Sequence, residues 1–294
     1  MRLWWFRLLP LFLTVLNAQT PALEYTGKPL AVPFQCSQED IRAFGLTCPL
    51  SHPCPVYMEL AGLEAVGNRL FVAGNLHADT VTLASILLGS QDGGKTWTEP
   101  HERIRGAGLD LIQFLDFETG WIGGQSLGAV ARDPFLLLTR DGGKSWQSRP
   151  VFNESRTGAL DAFHFDSKTH GWLWIDRSQA GEADDRYESY ESMTGGENWS
   201  VRETGARPLK KAARPAGPSD WRLRADPESK AYRLEHHGPS GWETTAAFLV
   251  QAGECREAEP VFNADPPPAP AEPGEGAEPA PEPAAPPTLR KARP

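Results

Sequence analysis

Through the middle of the chain, hydrophobic and polar positions alternate over short runs and then break at a turn. LASILLGS (83–90), DPFLLLTR (133–140), DRYESYES (185–192) and KAYRLEHH (230–237) each read as a strand. Each runs into glycine-bearing turn residues and a tryptophan, after which a further short extended stretch follows, so each run opens a hairpin. Another hairpin lies about twenty residues ahead of those turns. FLDFETGWIGG (114–124) and FHFDSKTHGWLWID (163–176) place an aspartate, a turn and Gly-Trp there, and LEAVGNRLFVAG (63–74) does so more loosely. Two hairpins per repeat predict about four strands per repeat. The one short helix expected in the mature chain is SQEDIRAFGL (37–46), opened by Ser37 as a cap.

The turns themselves repeat. SQDGGKTW (90–97), TRDGGKSW (139–146), SMTGGENW (192–199) and a remnant, EHHGPSGW (235–242), put their tryptophans at 97, 146, 199 and 242, with spacings of 49, 53 and 43 residues. A period of this size belongs to propeller blades, not helical repeats. The positions have structural work to do: glycine supplies positive φ, aspartate bonds the N–H groups of its own turn, and a hydroxyl and an indole hold the hairpin from either side. The expected structural set is Ser90, Asp92, Gly94 and Trp97, then Thr139, Asp141, Gly143 and Trp146, then Gly196 and Trp199. In the third copy Thr194 stands where the aspartate belongs.

SQDGGKTW and TRDGGKSW resemble the Asp-box, or bacterial neuraminidase repeat. Their pairing with FxxxGWxxG resembles the photosystem II assembly and stability factor family of β-propellers. The resemblance covers about residues 56 to 255 and implies an all-β fold, a β-propeller of about four Asp-box blades that is incomplete or completed by oligomerisation. It implies a non-enzymatic protein-binding or assembly module. Asp-boxes also occur in sialidases, which makes a glycan-binding protein or a sialidase-like glycosidase the alternative.

The two ends read differently from the core. Residues 1–20, MRLWWFRLLPLFLTVLNAQT, place Arg2 and Arg7 before a short apolar run and end near small Ala18, the layout of a secretory signal peptide whose apolar run is too short to span a bilayer. From about Ala258 the chain is a Pro/Ala/Glu mixture with little to bury, expected to be disordered. The expected organisation is 1–18 signal peptide, 19–55 cysteine-containing segment, 56–257 propeller and 258–294 tail, in a secreted or periplasmic protein with no membrane span after cleavage. A net charge of -9 excludes nucleic acid as a partner of the whole chain. The four cysteines, Cys36, Cys48, Cys54 and Cys255, read as two disulfides behind an export signal. Three connectivities are open. The expectation is that Cys255 ties back to the amino-terminal segment while the remaining pair closes a small local loop.

Candidate chemistry is sparse. The sequence has no HExxH, GxSxG or P-loop. In sialidases, catalysis uses an arginine cluster, a Tyr/Glu nucleophile pair and an acid/base Asp; here Tyr187 and Tyr190, in a strand, are expected to pack. His236-His237 reads as a hairpin shoulder, GEADDRYESYE (181–191) as an exposed acidic edge, and ARPLKKAARPAGPSDWRLR (206–224) as a solvated loop. No catalytic residue, metal ligand or cofactor is expected. A binding patch is expected from Arg103, Arg105, Arg132 and Arg156, which fall in linkers near the mouth of a propeller. The expected partner is a protein or another envelope component, with dimerisation as a further expectation.

Overall fold

The computed structural model describes residues 22–79, 81–180, 186–211 and 220–258. The signal-peptide and tail segments, and the stretches 181–185 and 212–219, lie outside the described residues. In chain order the elements are β1 (Leu23–Glu24), β2 (Phe34–Gln35), α1 (Gln38–Phe44), β3 (Cys54–Val66), β4 (Arg69–His77), β5 (Thr82–Ser90), β6 (Thr96–Trp97), β7 (Ala107–Phe114), β8 (Gly120–Leu127), β9 (Ala131–Thr139) and β10 (Gln147–Pro150). There follow β11 (Ala159–Phe165), β12 (Gly171–Asp176), β13 (Tyr187–Ser192), β14 (Ser200–Gly205), β15 (Trp221–Asp226), β16 (Ala231–Gly238), β17 (Gly241–Leu249) and β18 (Gln251–Cys255). The helix forms where expected: Ser37 and Asp40 cap its start reciprocally and Gly45, at φ 62°, ends it.

Consecutive strands pair antiparallel within each sheet, and the sheets follow one another along the chain. The first has the order β2-β18-β3-β4-β5, the second β10-β9-β8-β7, the third β11-β12-β13-β14 and the fourth β15-β16-β17. The innermost strands of the first three each carry one bulge, between Leu60 and Gly62, Leu109 and Leu111, and Leu160 and Ala162. This is β-propeller architecture.

Side-chain alternation explains how the sheets stack. Along β4, Leu70 and Val72 enter one apolar cluster and Phe71 and Ala73 another; along β9, Phe135 and Leu137 enter the second cluster and Leu136 and Leu138 a third. The first and second sheets are therefore buried on both faces, which is why β4 and β5 read as nearly continuous apolar runs. The three clusters fill the seams between the fourth and first, first and second, and second and third sheets. On the fourth sheet the outward face is charged instead: Arg222 and Arg224 pair with buried Glu235, and Arg233 with Asp226.

The segment ahead of the first sheet is stitched onto it. Leu30 exchanges backbone hydrogen bonds with Ala247 and Leu249, β2 pairs parallel with β18, and β1 pairs with β6. Cys36 bonds Cys255 and Cys48 bonds Cys54, so Cys255 ties back to the amino-terminal segment and the remaining pair closes a small local loop, as expected, with Cys36 the partner that the sequence left open. Among the described residues no helix is long and apolar enough to cross a membrane.

Two elements differ from expectation. The remnant EHHGPSGW does not form the glycine turn of the other copies: β16 and β17 join through a plain hairpin, Gly238 opposite Gly241, and Trp242 is exposed. It has neither the hydroxyl nor the carboxylate that shapes the other turns. The end of the basic stretch 206–224 is strand β15, not loop, because Trp221 and Leu223 alternate with Arg222 and Arg224 and pack on the first apolar cluster.

Candidate functional site

Because neighbouring strands run antiparallel, the glycine turns and the turns of the inner hairpins share one end of the fold. The linkers between sheets, and the turns joining the second and third strand of each repeat, share the other.

At the first end the turns are self-contained. Asp92 Oδ1 accepts the N–H groups of Lys95 and Thr96 at 3.0 and 2.9 Å, and Oδ2 accepts the Thr96 hydroxyl at 2.7 Å. Ser90 Oγ donates to Asp92 and accepts the Gly94 N–H at 2.8 Å, while the Trp97 indole donates to the Gly94 carbonyl at 2.9 Å. Thr139, Asp141, Gly143, Ser145 and Trp146 repeat this network bond for bond. Burial alone would raise the pKa of both aspartates, but these donors hold each below the ordinary carboxylate value.

The third turn keeps only part of the network. Ser192 Oγ accepts the Gly196 N–H at 2.9 Å, Thr194 Oγ1 accepts a single N–H, from Asn198, and the buried Trp199 indole has no partner. All three turns are also tied to the inner hairpin of their own sheet, since the N–H groups of Gly93, Gly142 and Gly195 donate to the carbonyls of Asn68, Glu118 and Thr169. The second and third are bonded from the preceding sheet as well, the carbonyls of Gly142 and Gly195 accepting from Arg69 and Trp121 at 3.0 and 2.9 Å. Gly143 has φ 82°, and a Cβ there would lie 2.3 Å from the Phe71 ring, so both conformation and approach require glycine. In the first two turns the hydroxyl, the carboxylate and the indole N–H are all engaged in holding the hairpin.

The linker end holds the four arginines named from the sequence in two groups, Arg103 with Arg105 on the amino-terminal segment and Arg132 with Arg156 around Asp133. Arg103 grips Glu99 through two bonds, donates to the Pro33 carbonyl and lies over Phe34. Arg105 pairs with Glu39 and Asp40 of α1 and lies over Phe44. These two therefore clasp the amino-terminal segment. Arg132 pairs with Asp133 and bonds Ser155. Arg156 belongs to a buried node at the seam of the second and third sheets: it donates to Glu188 at 2.6 Å and to the Tyr190 hydroxyl at 2.7 Å, and lies over Phe152.

Two members of that node, Arg177 and Glu188, were not singled out in the sequence. Arg177 donates to Glu188 at 3.0 Å, and Tyr190 donates to the other carboxylate oxygen at 2.7 Å. Glu188 is only 3% exposed, which corrects the expectation of an exposed acidic edge; it faces the seam because it sits two residues before Tyr190 on the same side of β13. That alternation with Tyr190 was the available signal. Burial pushes the Tyr190 phenol well above its ordinary value, and the Glu188 carboxylate adds to the rise.

The linker end also has an open cleft of about 320 Å³ between the first and fourth sheets. Tyr57 and Tyr232 line it with Ala225, Pro227 and Val250, and Asp226, Lys230 and Gln251 supply its polar groups. Asp226 is engaged by Arg233 at 2.5 Å and Ser229 at 2.6 Å. Lys230 is exposed and has no carboxylate partner among the described residues, and its backbone sits at φ 49°, a conformation costly for a side chain of this size. Among the described residues no group of three or more potential metal ligands converges.

No protein-family model matches the chain, and no curated protein is similar to it. Solved structures similar to it include a GH74 xyloglucanase from Xanthomonas campestris, at 15% identity over 46% of this chain and 18% of that one, with a TM-score of 0.34. YCF48 bound to D1 peptide is similar at 18% identity, over 65% of this chain and 54% of that one, with a TM-score of 0.38. An α-L-arabinanase from Penicillium chrysogenum complexed with arabinobiose is similar at 12% identity over 76% and 66%, with a TM-score of 0.37. The chain spans less than two thirds of the length of each.

Proposed function

We propose that the chain is an exported, non-enzymatic β-propeller with Asp-box turns, of the kind the photosystem II assembly factor-like family represents, and that it binds a protein partner of the cell envelope at its linker end. The observation that carries this reading is the cleft between the first and fourth sheets: aromatic walls and an unpaired cation, open to solvent. The two disulfides support an oxidising compartment. Neither a cofactor nor nucleic acid enters this reading, and self-association is a further outcome to measure.

The test is a photo-crosslinking amino acid at Gln251, an exposed residue of the cleft, in the full chain exposed to envelope proteins of its source. Discrete crosslinked proteins, competed away by unlabelled chain, are expected; their absence would contradict the reading.

One observation favours the glycosidase alternative. Tyr190, Glu188, Arg156 and Arg177 are the residue types that sialidases use together, with the phenol 2.7 Å from the carboxylate. Against it, Tyr190 and Glu188 are both 3% exposed, closed to a sugar, and the raised pKa keeps the phenol protonated at neutral pH. Hydrolysis of an aryl glycoside by the full chain, abolished in Glu188→Gln, would favour the glycosidase.

A further inference from the structure

The side chains that line the cleft between the first and fourth sheets define the ligand it fits. Tyr57 and Tyr232 line it together with Pro227 and Val250. Both rings are held in place: Tyr232 packs on the first apolar cluster, and Tyr57 lies 5.9 Å from the His77 ring. In an open cleft, fixed flat rings offer faces for another ring to stack on.

The polar side chains say what else a ligand must bring. Asp226, the carboxylate among the lining residues, is already engaged: it pairs with Arg233 and accepts the Ser229 hydroxyl and the Glu228 N–H. Among the described residues Tyr57 and Gln251 make no side-chain hydrogen bond and Lys230 makes no ion pair. The cleft therefore presents a phenol, an amide and an ammonium, each of which can donate. A matching ligand is rich in acceptors, poor in donors and negatively charged beside the part that enters. The backbone at Lys230 points the same way, since φ 49° is met more easily by asparagine or glycine and the turn itself does not call for lysine.

Proline-rich chain has these properties. Proline brings no N–H that the cleft would have to satisfy, and its ring stacks on tyrosine. Its polyproline II helix leaves the carbonyls open and is formed before binding, so little conformational entropy is lost. We propose that the cleft binds a proline-rich segment of the partner protein in this conformation, its rings on Tyr57 and Tyr232 and a flanking carboxylate meeting Lys230. This rests on the protein-binding reading above and names the chemistry of the segment bound.

The experiment uses the full chain and an end-blocked, fluorescein-labelled hexaproline peptide flanked by glutamate at both ends, followed by fluorescence anisotropy. Saturable binding is expected. It should weaken about fivefold in Lys230→Asn, which removes the charge yet tolerates the left-handed backbone, and about tenfold in Tyr57→Ala. Thermal midpoints of both variants show that they are folded at the assay temperature; should Tyr57→Ala fail to fold, Lys230→Asn and the control peptides decide. Binding should be lost when alanine replaces proline in the peptide, and weakened when lysine replaces glutamate. Absence of saturable binding would overturn the inference, as would equal binding by Lys230→Asn or undiminished binding of the alanine peptide. A protein crosslinked at Gln251 while the hexaproline peptide fails would overturn this inference and leave the protein-binding reading standing. Hexaproline binding with no crosslinked protein would do the reverse.

Discussion

The indole N–H of Trp121, on the second sheet, donates to the carbonyl of Gly195 in the third sheet's glycine turn at 2.9 Å, with the indole stacked on Phe165 at 3.9 Å between ring centroids. One side chain thus fastens a turn, fills a seam and fixes how two sheets meet. The corresponding bond one sheet earlier runs from Arg69 to Gly142, with Phe71 stacked on Phe114. The repeated turns are joints between neighbours as well as ends of hairpins.

The third turn is the weakest of the three and can be repaired. With Thr194 in the aspartate position, one of the two turn N–H groups bonded in the other copies has no carboxylate oxygen to meet. Thr194→Asp should raise stability by about 1 kcal/mol, the net worth of an added turn hydrogen bond. Chemical denaturation of the variant beside the parent checks it.

Ion pairs of the linker end should differ sharply in worth. Glu188 is buried and held by Arg156 and Arg177, so Glu188→Ala removes a buried carboxylate shared by two arginines at a seam and should cost about 3–5 kcal/mol. Arg105 is 42% exposed, and Arg105→Ala should leave the denaturation midpoint nearly unchanged. Denaturation midpoints at constant m-value separate the two.

How much of this was legible in the sequence follows from the range of the interactions. The turn networks were, because Ser90, Asp92, Gly94 and Trp97 lie within one hairpin and their spacing encodes their bonds. The strands before them were legible through alternation, and the tie of Cys255 to the amino-terminal segment through its place after the last long strand, but not that Cys36 is its partner. The Glu188 node was not, since Arg156, Arg177 and Tyr190 meet only when two sheets stack, and a carboxylate among other carboxylates reads as surface. Nor was the fourth sheet, with three strands among the described residues, where the proline-rich approach to Trp221 hid a strand start and the remnant turn suggested a full repeat. The four arginines were placed at the linker end by topology; Glu99 and Asp133 are local partners of Arg103 and Arg132, whereas the carboxylates that meet Arg105 and Arg156 come from α1 and β13, far away in the sequence.

Stability should vary with pH through His170, whose ring bonds Glu191 at 2.8 Å and approaches Asp166 at 3.3 Å. Its pKa is raised, chiefly by the Glu191 bond, with the two carboxylate charges adding to it. A raised value means that the stabilisation is complete below the unfolded value of about 6.5 and is lost as pH rises through the higher folded value. Unfolding free energies across about pH 6 to 9 should fall for the parent and lose that component in His170→Gln.

The disulfides should contribute unequally. Cys36–Cys255 spans 219 residues and Cys48–Cys54 spans 6, so loop-closure entropy gives about 5 and about 2 kcal/mol respectively. Replacing each pair by serine and comparing unfolding under otherwise equal conditions should preserve that order.

The central claim is that Asp92 and Asp141 hold the fold and take no part in what the protein does to its partner. The direct measurement is the double variant Asp92→Ala, Asp141→Ala, compared with the parent for thermal stability and for crosslinked partner capture at a temperature where both are folded. The account predicts a loss of about 1–3 kcal/mol per site with capture unchanged. Full stability with capture abolished would contradict it.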